Sequence, residues 1–235
     1  WPMGPSWGYH AADIDVLKNL NYEVFGYTCT GTLEEFVEAT QIAQGTVAQF
    51  ALEHFRRQKP HVSGVSLCHF ITNWPIIKWD IIDYYGQTKK SFDYVKRSYQ
   101  PLLPSLEIQK RRWMPNELFR GRLYIINDYY KNYPSLTYKC IFRDSDQNEL
   151  YSNTFTASVT ENSSTAYEFL EFKLPSDISN CFYIQLYLSD GDNVLSENNY
   201  RLLVGDQKAA QEAAYGMYKI MHQKSREYGK GYYRY

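Results

Sequence analysis

Strand-like runs in the second half of the chain constrain its fold more than any other feature. After Pro104 apolar residues recur with a period of two, and polar turn segments separate the runs. Turn segments such as 144–148 and 190–193 carry the Asp, Asn and Gly residues that favour tight reversals. Seven short strands at this spacing predict an immunoglobulin-like β-sandwich. The runs cover residues 106–113, 118–127, 136–143, 150–159, 167–174, 182–188 and 199–204.

The first hundred residues show a helix, strand, helix order. Thr32 can cap a helix that ends near Arg57, because Leu-Glu-Glu follows it and the second Glu can reach back to the helix start. Residues 64–71 form an apolar run typical of a buried parallel strand, and a second helix is predicted beyond Gly86. A short helix is predicted over residues 12–20. This order is typical of an α/β barrel or a doubly wound sheet, with the loop after the strand on the functional face.

Composition and charge exclude several kinds of partner. The 235 residues include 25 basic and 26 acidic side chains, so neither nucleic acid nor an anionic membrane is expected as a partner. No apolar run reaches the roughly 18 residues of a membrane span. Aromatic residues make up 17% of the chain, with 23 tyrosines, which fits β-structure and contact with carbohydrate.

The four cysteines predict neither a metal site nor a cofactor. They lack a CxxC pair and show no Cys/His spacing typical of zinc. Only Cys140 and Cys181, in two predicted strands, are placed to form a disulfide, and isolated buried thiols are the commoner arrangement.

The chain is expected to be a piece of a longer protein, since it starts at Trp1 without an initiator methionine. Three parts are predicted: 1–103, 104–206 and 207–235. The last part is expected to be a helix over residues 207–228 followed by a frayed tail.

The loop after residues 64–71 carries the candidate ligand-binding residues. A strand that delivers aromatic side chains to its end builds a platform for flat, partly apolar ligands such as sugar rings. The candidates are Trp74, His69, Asn73, Cys68 and Trp79. Each has a structural alternative. The two tryptophans can instead pack between the last helix and the sandwich, and Cys68 can be a small buried apolar residue. Asp83 is expected to cap the helix that follows Gly86.

These residues carry a resemblance to a known family. The helix contains Gln44, Gly45, Glu53, Arg56 and Arg57, and it is followed by Trp74-Pro75, Trp79, Asp83-Tyr84-Tyr85-Gly86, Lys96-Arg97 and Tyr99-Gln100-Pro101. Residues 30–103 thereby resemble the end of the catalytic barrel of glycoside hydrolase family 2, particularly its β-mannosidase-like branch. Beyond residue 103 only the layout agrees, because these enzymes carry an immunoglobulin-like sandwich after the barrel.

The resemblance implies a (β/α)8 barrel that hydrolyses terminal β-linked sugars with retention, using two glutamates about 5 Å apart. In the family both glutamates lie upstream, in N-E and S-E-[FY]-G-like motifs, and no such motif occurs before Thr32. The fragment alone is therefore expected to be inactive. The expected partner is a β-glycoside or oligosaccharide, no cofactor is expected, and the longer enzyme is expected to be periplasmic or secreted.

The sequence departs from the family at the last barrel strand. Relatives usually show W-Q-L-N-D-x-W-P, where residues 68–75 read Cys-His-Phe-Ile-Thr-Asn-Trp-Pro. The residues that flank this motif agree with the family pattern, whereas the residues nearest the presumed sugar differ from it. A changed substrate is the simplest inference, and a full-length protein without activity is the alternative.

A second class of function is a noncatalytic carbohydrate-binding or interaction module with the sandwich as its ligand face. Such a module should expose a planar row of aromatics on runs such as 118–127 or 182–188. The enzyme fragment should instead expose an incomplete barrel edge around residues 64–71, apolar and prone to self-association.

Overall fold

The structure, a computed structural model, describes residue 1 and residues 3–206. The predicted helix over 207–228 and the tail after it lie outside these residues. The helices are α1 (Pro5–Tyr9), α2 (Ile14–Phe25), α3 (Leu33–Arg57) and α4 (Lys90–Ser98). The strands are β1 (Leu102–Glu107), β2 (Arg112–Trp113), β3 (Leu118–Asn127), β4 (Tyr133–Arg143), β5 (Glu149–Val159), β6 (Ser163–Lys173), β7 (Cys181–Asp190) and β8 (Asn193–Val204).

The predicted β-sandwich is confirmed. One sheet has the order β1-β3-β6 and the other β2-β8-β7-β4-β5. Six of the seven predicted runs each correspond to one strand. The first, 106–113, is wrong as a single strand, because the chain pairs with β3 up to Glu107 and then joins β8 of the other sheet at Arg112. The chain thus switches sheets within a segment that sequence periodicity shows as continuous.

Aromatic residues fill the core between the sheets. Phe119, Phe142 and Phe182 are fully buried, with centroid distances of 5.1 Å between the rings of Phe119 and Phe142 and 6.2 Å between those of Phe142 and Phe182. Along β3, Phe119, Leu123 and Ile125 face inward while Arg120 and Arg122 face outward, as the period of two predicts. Burial of each such ring stabilises the fold by about 1.5 to 3 kcal/mol.

The predicted helix after Thr32 is confirmed as α3. The Thr32 hydroxyl accepts a hydrogen bond from the Glu35 backbone N–H at 3.1 Å. The Glu35 carboxylate reaches one residue further back than expected and accepts from the Gly31 N–H at 3.0 Å. The short helix predicted over 12–20 is shifted, since α2 ends at Phe25, where Gly26 adopts a left-handed conformation with φ of 89°.

The predicted strand over residues 64–71 is wrong for the described chain. Its only ladder contact is a single parallel bridge between Ile71 and Ile82. A parallel strand needs hydrogen-bonding neighbours, and the described residues supply none beyond that bridge. Residues 58–89 therefore run between α3 and α4 mainly as turns and irregular chain, and the described residues do not form a closed barrel.

A buried polar cluster joins α3 to the sandwich. We call it the Glu53 network; its members are Gln49, Glu53, Arg57, Ser105, Asn198 and Tyr200. The Glu53 carboxylate accepts from the hydroxyls of Ser105 and Tyr200, each at 2.6 Å, and from the Asn198 amide at 2.9 Å. Since a buried carboxylate is tolerated only when it is well hydrogen-bonded, these bonds fix the helix against the sandwich.

Arg56 adds a second connection. It donates to the backbone oxygens of Ser98 and Gln100 and forms an ion pair with Asp128 at 2.8 Å. Among the described residues no helix is long and apolar enough to cross a membrane.

Candidate functional site

Trp74 lies in an aromatic cluster on the surface. Its ring stacks on His10 at a centroid distance of 5.6 Å and meets the edge of Tyr9 at 6.0 Å. The His10 Nδ1 atom is hydrogen-bonded to the Pro75 carbonyl, and the Ile77 N–H donates to the His10 carbonyl at 2.9 Å. The indole, 37% exposed, is thus held by residues at the end of α1 and is partly open to a ligand.

His69 and Asn73 line the same small pocket of about 70 Å³, together with Thr72, Lys78 and Asp80. The Asp80 side chain is buried, with one oxygen 2.7 Å from the Lys89 ammonium. Its other oxygen, Oδ1, has no hydrogen-bond partner among the described residues. A buried carboxylate oxygen of this kind accepts a hydrogen bond readily from a hydroxyl or a water. This pocket combines hydrogen-bond donors and acceptors, and its volume fits one polar substituent of a ligand.

Trp79 lines a different cavity. This cavity of about 360 Å³ lies between α2, α3 and residues 76–79, and its walls include Trp7, Leu20 and Phe36. Gln44 donates to the carbonyls of Trp79 and Asp80, at 2.5 and 3.2 Å, which fixes the loop onto α3. The cavity is largely apolar and separate from the pocket that His69 and Asn73 share.

The five candidate residues are therefore only partly brought together. His69 and Asn73 share a pocket, while Trp74 and Trp79 belong to separate surfaces. The alternative in which both tryptophans pack between the last helix and the sandwich does not fit, since Trp74 rests on α1 and Trp79 on the cavity beside α2 and α3.

Cys68 is exposed, contrary to the expectation of a small buried apolar residue. It joins His69 through a cis peptide bond, in an irregular segment. The expectation assumed the regular alternation of a strand within a closed barrel, and this segment has neither. Cys140 and Cys181 are buried free thiols, in agreement with the commoner arrangement, and burial raises the pKa of Cys140 to about 12.

Asp83 does not cap α4, so that expectation is wrong. Its carboxylate accepts from the backbone N–H groups of Tyr85 and Gln87, each at 2.9 Å, and thereby closes the turn over residues 83–87. The helix begins only at Lys90, too far along the chain for such a cap. Gly86 permits the turn through its φ of 81°.

Sequence reasoning missed Asp80 and its partner Lys89. The only signal was a carboxylate between Trp79 and Ile81, inside a mainly apolar segment. The helix residues that carried the resemblance hold the architecture together: Gln44 binds the loop, Glu53 binds the sandwich, and Arg56 binds the turn after α4. Within residues 1 and 3–206 no cluster of three His, Cys, Asp or Glu side chains is placed to hold a metal ion.

The sandwich matches a known family of protein domains. Residues 121–203 match the family described as the Mannosidase Ig/CBM-like domain. With the relatives below, this match confirms that the chain resembles the C-terminal part of a glycoside hydrolase family 2 enzyme.

Particular relatives are β-mannosidases. β-Mannosidase B of Aspergillus oryzae is 31% identical over 108 residues, which cover 45% of this chain and 13% of that protein. The corresponding enzyme of Emericella nidulans is 28% identical over the same length and shares of the two chains. The chain thus spans about an eighth of the length of these relatives.

Solved structures share the fold at low sequence identity. A β-D-mannosidase from Dictyoglomus thermophilum superposes with a TM-score of 0.68 at 23% identity, covering 86% of this chain and 24% of that one. The exo-chitosanase CsxA of Amycolatopsis orientalis gives 0.66 at 19% identity, covering 80% and 21%.

Proposed function

We propose that this chain is the C-terminal part of a retaining, exo-acting β-glycosidase of the β-mannosidase type. In this proposal residues 1–103 contribute the end of the catalytic barrel, residues 104–206 form the accessory sandwich, and residues 207–235 form a further C-terminal part. The catalytic glutamates are supplied from upstream, so the chain alone is inactive.

The distribution of exposed apolar side chains is the observation that carries the proposal. Phe70 and Ile71 are 59% and 54% exposed, and Trp74 and Trp79 follow them along the chain. On the predicted module face, by contrast, Tyr124, Tyr183 and Tyr187 are only partly exposed. Large exposed apolar groups mark surfaces that other parts of a protein cover. The pattern favours an open barrel edge over a sandwich with a planar aromatic row on runs 118–127 or 182–188.

Within the proposed active site, Trp74 supplies a stacking surface and the pocket of His69 and Asn73 binds a polar substituent of the sugar. Cys68 and Trp79 are assigned to the rim. Glu35 and Glu53 of α3 do not complete a catalytic pair here, because Glu35 closes the helix start and Glu53 is bound within the Glu53 network.

The test is hydrolysis of a panel of p-nitrophenyl β-glycosides by the 235-residue chain and by the longer natural protein. We expect the chain to be inactive and the longer protein to cleave one glycoside preferentially. Trp74→Ala in the longer protein should lower kcat/KM by about 10- to 100-fold through loss of stacking. Tyr130→Ala, which removes an exposed ring from the sandwich, is the control and should leave the rate unchanged. A longer protein inactive on every glycoside would overturn the proposal.

A further inference from the structure

A groove of about 730 Å³ lies between α3 and the outer face of the three-stranded sheet. We call it the junction groove. Phe50, His54 and Arg57 line it from one exposed side of the helix, and Arg120, Arg122 and Phe169 line it from the sheet. The loop over residues 107–117 closes one end. The junction groove is separate from the proposed glycosidase site, and none of the residues assigned above to that site line the groove.

The charges of the junction groove favour an anionic ligand. Its walls carry four basic side chains and two carboxylates. Three of the basic side chains already pair with a carboxylate, Arg57 with Glu53, Lys110 with Glu117 and Arg120 with Glu171, which leaves Arg122. Both carboxylates are already engaged: Glu117 pairs with Lys110, and Glu107 accepts from the Tyr124 hydroxyl at 3.0 Å. Arg122 has no carboxylate within ion-pair distance in the described part of the chain. Its guanidinium is therefore available for a carboxylate of a ligand.

Aromatic rings stand beside these cations. Phe169 is 45% exposed and lies under Arg120, whose guanidinium carbon is 3.8 Å from the ring centroid. On the opposite wall, Phe50 is 54% exposed and stacks on His54 of the same helix. Exposed rings on both walls, with the Arg120 guanidinium over one face of Phe169, suit a ligand with apolar ring faces and an acidic substituent.

We propose that the junction groove binds a short acidic oligosaccharide containing uronate units, independently of the glycosidase site. The sugar ring faces pack on Phe169 and Phe50, and a carboxylate pairs with Arg122. The volume lies within the range of about 300 to 1,000 Å³ that is usual for small-molecule sites, so a di- or trisaccharide fits.

The test is titration of the isotope-labelled 235-residue chain with tri-galacturonic acid, followed by NMR. We expect saturable shifts at Phe50, His54, Arg122 and Phe169 that weaken with added salt. Arg122→Gln should lower the affinity about tenfold, because a charge-assisted hydrogen bond is lost. Lys139→Gln removes a positive charge from an exposed position on the other sheet and should leave the affinity unchanged. Thermal unfolding of both variants checks that they remain folded.

Two further ligands make the result decisive. Neutral mannotriose should bind more weakly by at least about tenfold, since it lacks the carboxylates that pair with arginine. A hexaglutamate peptide should bind more weakly than the trisaccharide, because it offers no ring faces. Equal binding of mannotriose, tighter binding of the peptide, or shifts that Arg122→Gln does not reduce would each overturn the proposal.

Discussion

Cys68 differs from the other three cysteines in its exposure. Cys29, Cys140 and Cys181 are buried, and burial raises the pKa of Cys29 and of Cys140. Because the thiolate is the reactive form, only Cys68 should react quickly with a thiol reagent in the native chain. Titration with Ellman's reagent should give one fast equivalent, which Cys68→Ser abolishes and Cys140→Ser leaves in place. Several equivalents of equal rate would contradict this assignment.

Gly45 lies at a close approach of α3 and α4. A Cβ atom there would lie 2.7 Å from ring carbons of Tyr94 and 3.0 Å from the Ser91 Cα. Alanine normally stabilises a helix interior by about 1 kcal/mol relative to glycine, whereas overpacking costs about 1 to 3 kcal/mol. We expect Gly45→Ala to lower the free energy of unfolding by up to about 2 kcal/mol in urea titrations.

The control for this change is Gly8→Ala in α1, where an added Cβ meets nothing within 4 Å. It should leave stability unchanged or raise it slightly. If Gly45→Ala proved stabilising by as much as helix propensity predicts, the helices would have to be further apart than the structure places them.

At single residues, features that depend on neighbours in the chain could be predicted from the sequence. Burial by residues distant in the chain could not. The cap at Thr32 depends on neighbours within one turn, so its pattern suffices. The burial of Cys68 depended on a barrel around it, which no neighbouring residue encodes. Asp83 shows a third case, because the side chain that favours a helix cap equally favours the turn that it forms.

At the scale of elements, the contact between α3 and β8 makes stability depend on pH. Burial and then the nearby charge of Glu53 raise the pKa of Tyr200 well above 10. Below pH 10 this tyrosine is neutral in both states. Above pH 10 the unfolded chain releases its proton while the folded chain keeps it, so the free energy of unfolding falls as pH rises. The loss attributable to Tyr200 is at most about 1.4 kcal/mol per pH unit.

Urea titrations from pH 8 to pH 11 should detect this loss. Tyr200→Phe should be less stable at pH 8, because Glu53 loses a hydrogen bond, and its stability should fall less steeply above pH 10. Tyr130→Phe, at an 85% exposed position, should keep the wild-type slope. An unchanged slope in Tyr200→Phe would show that other groups dominate the alkaline loss.

The strands of the sandwich were predictable because each carries its own period-two pattern and turn residues. The switch between sheets after Glu107 was not, since a chain that leaves one sheet for another keeps the same alternation. The prediction of a strand over residues 64–71 was wrong for the opposite reason. Their pattern describes a parallel strand, and such a strand exists only beside neighbours that the described residues do not provide.

At the scale of the whole molecule, exposed apolar groups and unpaired backbone at residues 64–71 favour self-association. Sedimentation velocity should show an average mass that rises with concentration. The double variant Phe70→Asp and Ile71→Asp should shift the chain toward monomer. Leu118→Asp, at an exposed position on the sandwich, should leave association unchanged. A wild-type chain that stays monomeric at every concentration would contradict this prediction.

The Glu53 network also makes the docking of α3 depend on a strand that is synthesised much later. Asn198 and Tyr200 follow Glu53 by 145 and 147 residues. A growing chain that has not yet reached β8 would have to bury this carboxylate with two of its donors missing, at a cost of several kcal/mol. We therefore expect α3 to dock only after the last strand of the sandwich has emerged from the ribosome.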